Sequence, residues 1–203
     1  MRVAVMLIDL DGVLRLWPNA HSCEEEHGLP SGSVSRAAFA APLLEQAITG
    51  RITDREWRAE VSRQLTLGYP EARAREAVEA WSAPFGSVNA EVLEMVAAAR
   101  KHCVVGLVSN ATDRLTKDLA ALGLAAHLDF VVNSSDIGFA KPRPEIFAHA
   151  LARTESQPEA TVFVDDTASN VAAADALGIR SHHFSCHGSS YSRTSSRCGN
   201  SGC

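Results

Sequence analysis

Four short polar clusters in this 203-residue chain could do chemistry: Asp9-Leu10-Asp11-Gly12-Val13-Leu14, Ser109-Asn110, Lys141-Pro142, and Asp165-Asp166 followed by Asn170. Taken singly, each has an ordinary reading as a loop carboxylate, a helix-capping turn, a solvated charge or a helix N-terminus. Together they supply carboxylates, a hydroxyl, amides and one ammonium, the set needed to hold a hard cation beside a phosphoryl group. The physics demands such a mixture. A carboxylate meeting a phosphate dianion at about 4 Å and an effective dielectric of about 20 is repelled by about 8 kcal/mol, so cations are required. Magnesium prefers oxygen ligands and is held by one or two carboxylates plus substrate phosphate. Asp9, Asp166 and the backbone carbonyl of Asp11 would meet that need. Lys141 adds a compact positive charge, and the Ser109 hydroxyl and Asn110 amide can hold the remaining phosphoryl oxygens.

The elements that must position these residues follow from the pattern. Residues 3–10 form a short apolar run with β-branched members, as expected for a central strand of a parallel sheet covered on both faces. From residue 84 onward helix and strand signals alternate. Asn89 caps a helix to about 102, residues 103–108 are apolar, and a helix over 113–122 stops at Gly123. Residues 130–133 read as a strand, Pro144 opens a helix to about 153, 161–164 is a strand, and a helix over 169–177 ends at Gly178. Repeated strand-helix units imply right-handed crossovers and an α/β fold, a Rossmann-like parallel sheet sandwiched by helices. Ligands bind such sheets beyond the carboxyl ends of the strands, and the four polar clusters fall there or in adjoining loops.

Residues 17–81 interrupt the sheet with helical signals. Gly28, Pro30 and Gly32 mark a loop, and Thr53-Asp54-Arg55-Glu56 is a capping-box pattern. Trp57, Val61 and Leu65 then share one face, and Gly68 gives a stop before Pro70 opens another helix. The expected organisation is a core of residues 1–16 and 84–184, an inserted all-helical cap over 17–83, and a Ser/Cys-rich, disordered tail over 185–203.

The four clusters, in this order, resemble the motifs of the haloacid dehalogenase superfamily, over about residues 3–184, and the insertion after the first cluster resembles that superfamily's first class of helical cap (subfamily I, C1 cap). The resemblance implies a magnesium-dependent phosphohydrolase with an aspartyl-phosphate intermediate. It makes Asp9 the nucleophile and a magnesium ligand, Asp11 the general acid and base, and Lys141 the charge stabiliser. Ser109 and Asn110 become phosphate binders, Asp166 a metal ligand, and Asp165, with Asn170, a neighbour holding a metal-bound water. A covalent route splits the reaction into two displacements, attack by Asp9 on phosphorus and attack by water on the aspartyl phosphate. Asp11 would protonate the departing alkoxide and later deprotonate the water, a dual role that nearby carboxylates would support through like-charge repulsion. Asp11 also argues against halide ejection, which needs no proton, so phosphate chemistry is favoured over dehalogenase chemistry; a phosphohydrolase is the leading reading, with a phosphomutase or a dehalogenase as alternatives. Trp17, Asn19, His21 and Trp57 are candidate selectivity residues, although Trp57 fits an apolar stripe better. A cap this small suggests a small phosphorylated metabolite such as a sugar phosphate.

A phosphoacceptor signalling module also uses aspartates, a hydroxyl and a lysine, but there the acidic pair comes early, whereas here it comes last. A non-catalytic interaction protein is a further alternative, because the family continues with another helix where residues 185–203 lose all periodicity. An altered reading frame would explain that tail. Acidic residues exceed Lys plus Arg by 24 to 19 without a basic stripe, and no 18 apolar residues are consecutive, so neither nucleic acid nor a membrane is an expected partner. Five cysteines without a C-x-x-C pair fit a reduced, cytoplasmic protein, a monomer or homodimer. His182, His183, Cys186, His187, Cys198 and Cys203 match no zinc template and read as a strand end plus tail. His102, His127 and His149 belong to no constellation.

Overall fold

A computed structural model describes residues 3–17 and 23–185. Asn19, His21, Cys186, His187, Cys198 and Cys203, with all of the expected tail beyond Ser185, lie outside the described residues. In chain order come β1 (Val5–Ile8), β2 (Arg15–Leu16), helices α1 (Cys23–Glu26), α2 (Ser33–Ala38), α3 (Leu43–Ile48), α4 (Asp54–Leu65) and α5 (Glu71–Ser82), then β3 (Ser87–Val88) and α6 (Ala90–Ala99). The chain continues through β4 (Val104–Ser109), α7 (Leu115–Ala121), β5 (Phe130–Asn133), α8 (Ser134–Ile137), α9 (Pro144–Thr154), β6 (Thr161–Asp165), α10 (Ala168–Ala176) and β7 (Arg180–His183).

Strands β5-β4-β1-β6-β7 form one sheet in that order, and all its pairings are parallel. The chain steps outward from β1 to β4 and β5, then returns to the other side of β1 to lay down β6 and β7. The carboxyl end of β1 is therefore where the order reverses, the place at which open α/β sheets leave a crevice. Both sheet faces are covered. Ile8, Val105 and Leu107 pack with Val92 and Val96 of α6 and with Leu115 and Leu119 of α7. Val5, Leu7, Val108 and Phe163 pack on the other side with Ile146 and Phe147 of α9 and Ala174 of α10. This double burial explains why the strands read as continuous apolar runs.

Helix ends follow the expected chemistry. The Asn89 side chain accepts the Val92 amide at 3.4 Å, and Pro144 occupies the first turn of α9. At α4 the Thr53 hydroxyl accepts the Glu56 amide while Glu56 accepts the Thr53 amide, so the capping box forms in full.

Helices α1–α5 stand between β2 and β3 and enclose their own apolar cluster, including Leu29, Val34, Val61, Leu65, Ala77 and Val78. Trp57 belongs to this cluster, and its indole donates to the Ala38 carbonyl at 3.0 Å. It is a core residue rather than a selectivity residue. Glu24 is buried here, its carboxylate accepting the amides of Gly32, Val34 and Ser35 at the start of α2. The two chain segments that join insertion to core pair with one another as the antiparallel ribbon β2-β3. That ribbon, and the helices of four to six residues, are additions to the sequence reading. Two-residue strands and helices shorter than two turns carry no readable period. No helix among the described residues is long and apolar enough to cross a membrane.

The insertion also touches the core directly. Asp113 accepts the Asp54 amide at 2.7 Å, and the Thr112 hydroxyl donates to Asp54 at 3.2 Å. Nearby, Gly50 has φ of 70°, and a Cβ there would land on the Ser135 carbonyl. Gly50→Ala is therefore expected to destabilise the protein by more than about 1 kcal/mol in urea unfolding. Gly68→Ala, at a site with no atom within 4 Å, is the control that costs little.

Candidate active site

Asp9 follows β1 directly, and its amide donates to the Val164 carbonyl of β6 at 2.9 Å. This hydrogen bond continues the β1-β6 ladder by one residue and fixes the Asp9 side chain at the mouth of the crevice. Asp9 is buried. Its Oδ1 receives the Leu10 amide at 2.7 Å and the Lys141 ammonium at 2.7 Å, whereas Oδ2 meets no donor among the described residues.

Lys141 reaches this point from the loop before α9. Its Nζ donates to Asp165 Oδ2 at 2.7 Å and to the Val108 carbonyl at 2.8 Å, besides pairing with Asp9. All three ammonium protons are engaged. The loop is clasped by Asn110, whose side chain accepts the Lys141 amide at 2.7 Å and donates to the Lys141 carbonyl at 2.8 Å. Asn110 was expected to hold phosphate through its backbone; its side chain has this second task of fixing Lys141.

Asp165 is fully buried. Its Oδ1 accepts the Thr167 amide at 2.7 Å and the Asn170 amide group at 3.1 Å, and its Oδ2 accepts Lys141 and Asn170 at 2.7 and 3.0 Å. Three donor groups thus make four contacts to its two carboxylate oxygens, tying Asp165 to Lys141 and to the start of α10. Asp165 anchors Lys141, and Asn170 holds Asp165.

Asp166 accepts the Thr167 hydroxyl at 3.1 Å. Gly12, with φ of 83°, leaves the room it needs, since a Cβ there would land on the Asp166 carboxylate. One oxygen each from Asp9, Asp165 and Asp166 can lie within 4.8 Å of one another. This all-oxygen donor set fits magnesium. Burial pushes the Asp9 carboxyl up to about 7; Lys141 opposes that rise, and Asp165 and Asp11 add to it. Burial would lower Lys141, but Asp9 and Asp165 outweigh it and hold the ammonium above its ordinary range. The Ser109 hydroxyl, at the end of β4, is buried with no hydrogen-bond partner among the described residues. An orphaned buried hydroxyl costs free energy unless a ligand oxygen satisfies it.

Asp11 sits differently from the expectation. Its neighbours are not chiefly carboxylates: Arg15 donates to both of its oxygens at 2.7 and 2.9 Å, and the Trp17 indole donates to Oδ1 at 2.6 Å. Trp17, expected as a selectivity residue, thus contacts Asp11 itself. Arg15 also binds Asp118 at 2.7 Å, and Arg114 holds the other Asp118 oxygen at 2.7 Å. Arg15, Asp118 and Arg114 were not anticipated. The signal was an arginine set within the apolar run Val13-Leu14-Arg15-Leu16-Trp17, four residues after Asp11. His182 and His183 lie on the edge strand β7, both exposed, and His183 contacts the Asp166 carbonyl at 3.0 Å.

The same fold and family are found elsewhere. A HAD family enzyme of Bacteroides thetaiotaomicron, solved with magnesium and inorganic phosphate, superposes with a TM-score of 0.74 at 22% identity, covering 94% of this chain and 98% of that one. The D-ribitol-5-phosphate phosphatase of the same organism is 26% identical over 148 residues, 68% of each chain. Bifunctional epoxide hydrolase 2 of Rattus norvegicus is 29% identical over 200 residues, 88% of this chain. The chain spans only 36% of that rat protein's length. The model of the haloacid dehalogenase-like hydrolases matches residues 3–178, which takes in all four polar clusters. With its reversed-order parallel sheet and its aspartates gathered at the carboxyl end of β1, the chain belongs to the haloacid dehalogenase-like hydrolases.

Proposed function

We propose that this hydrolase removes phosphate from a small phosphomonoester, using magnesium and Asp9 as nucleophile. The observation that carries this reading is the asymmetry of Asp9. One oxygen is locked by Lys141 and the Leu10 amide, and the other meets no donor among the described residues, at the sheet's switch point. An oriented carboxylate with one free oxygen is suited to in-line attack. The unpartnered Ser109 hydroxyl supports the reading, because a phosphoryl oxygen would satisfy it. The 26% identical D-ribitol-5-phosphate phosphatase supports a phosphorylated metabolite as substrate.

Asp9 and Asp166, with the Asp11 carbonyl, would hold magnesium. When bound, the ion neutralises the repulsion between carboxylate and phosphate. In the first displacement Asp9 Oδ2 bonds to phosphorus as the bond to the leaving oxygen breaks, and Asp11 delivers the proton that the alkoxide takes. In the second, Asp11 takes a proton from water as that water's oxygen attacks phosphorus and frees Asp9 and inorganic phosphate. Lys141, held by Asp165 and the Val108 carbonyl, keeps Asp9 oriented throughout. Helices α1–α5 serve as the cap. The N-terminus of α4 contacts Thr112 and Asp113, just beyond Ser109 and Asn110, so the insertion borders the crevice where it can exclude water and select substrate.

Phosphate release from p-nitrophenyl phosphate is expected to require magnesium and to fall at least about a hundredfold in Asp9→Asn. A well-folded native protein without that activity would count against the reading and favour mutase or dehalogenase chemistry. A second expectation concerns stability. Folding lifts Asp9 from the ordinary 3.8 to about 7, so the ionised carboxylate penalises the magnesium-free fold above pH 7 and the penalty fades as pH falls towards 4. Asp9→Asn should therefore melt several degrees above the native protein at pH 8 in chelator, with the gap closing on acidification. Magnesium should stabilise the native protein and leave the variant nearly unchanged.

A further inference from the structure

Arg15 is a heavily engaged side chain that the proposed reaction leaves without a task. It is buried, and its guanidinium bridges two carboxylates: Nε and Nη2 hold both oxygens of Asp11, while Nη1 holds Asp118 at 2.7 Å. Asp118 is buried too, and its second oxygen is held by Arg114. Arg114 continues to the carbonyls of Ser82 and Pro84, on the segment that returns from the insertion towards β3. At the other end Trp17 donates to Asp11, and its ring lies 4.5 Å from the Arg15 guanidinium carbon. Two acids and two bases alternate, so the chain is neutral along its length. Burial alone would weaken the hold of Arg15 on its proton, but Asp11 and Asp118 reverse this and keep it charged.

Exposure is lowest in the middle of the chain and rises at both ends, to 15% at the Arg114 side chain and further at Asp11. The side chains of Arg15 and Asp118 are 5% and 9% exposed, whereas that of Asp11 is 29% exposed. The open end is thus the carboxylate to which the reaction assigns proton transfer. A two-pronged contact fixes both the place and the rotation of a carboxylate, which one hydrogen bond does not. Arg15 can also release Asp11 without becoming an unpaired buried charge, because Asp118 stays bound to it. Asp118 in turn keeps Arg114.

We infer that Arg15 is a positioning residue for proton transfer, presenting Asp11 to the leaving-group oxygen from a base formed by Asp118 and Arg114. This rests on the reading of Asp11 as general acid and base. A purely structural staple would have the same hydrogen bonds, so the test must follow the proton. Phenyl phosphate has the poorer leaving group and needs a proton more than p-nitrophenyl phosphate does.

The experiment measures kcat on both esters, with magnesium, for the native protein, Arg15→Met, Asp11→Asn and the double variant, each checked for its melting temperature. Arg15→Met should lose about tenfold more activity on phenyl phosphate than on p-nitrophenyl phosphate, and Arg15→Lys should recover part of that difference. In the Asp11→Asn background, Arg15→Met should add no further leaving-group dependence. Equal losses on the two esters, or losses that simply add in the double variant, would overturn the inference while leaving Asp9 chemistry intact. If Arg15→Met does not fold, Arg15→Lys and Asp118→Asn carry the same comparison under the same criterion. Absence of magnesium-dependent activity in the native protein, by contrast, would remove the proposed function itself.

Discussion

Three charges meet where the sheet reverses its order: the Lys141 ammonium lies between the carboxylates of Asp9 and Asp165, 2.7 Å from each. Ions taken out of water are costly unless paired and fully hydrogen-bonded. The rest of the site meets that condition. Val108 offers a carbonyl to Lys141, Thr167 and Asn170 donate to Asp165, and Leu10 donates to Asp9. The contributors come from the ends of β1, β4 and β6, the loop before α9 and the start of α10, so the site requires the three central strands to be assembled in register. Asp9 Oδ2 and the Ser109 hydroxyl are left without partners among the described residues.

Charge balance divides the site into two neighbourhoods. Around Asp9 the acids outnumber the single lysine, and burial raises Asp9, an imbalance that a bound cation would relieve. Around Asp11 acids and bases alternate evenly through Arg15, Asp118 and Arg114. Two aspartates separated by one residue thus stand in opposite electrostatic settings. The turn at Gly12 brings this about, since its positive φ reverses the chain and lets Arg15 fold back beside Asp11.

Much of the fold was legible because its signals are local. The β4 and β6 runs are apolar throughout, Asn89 and Thr53 cap helices through their own neighbours, and Pro144 begins α9. Asp9, Ser109, Lys141 and Asp165 were legible because each stands at the end of a readable strand or in a crevice loop. Arg15, Asp118 and Arg114 were not. Arg15 and Asp118 are 103 positions apart, and nothing in either local pattern calls for the other. The β2-β3 ribbon escaped for the same reason, its two-residue strands being paired across the whole insertion.

The sequence by itself determined the residue types, their order along the chain and the alternation of strands and helices. Those suffice for the family, because hydrophobic periodicity and capping act over a few residues. Only the tertiary structure decided which partner each charge takes. It gave Asp165 to Lys141, Asn170 and the Thr167 amide, and Asp11 to Arg15 and Trp17. Coulomb energy depends on distance and on burial, and both are set by how remote segments pack, which no local spacing encodes.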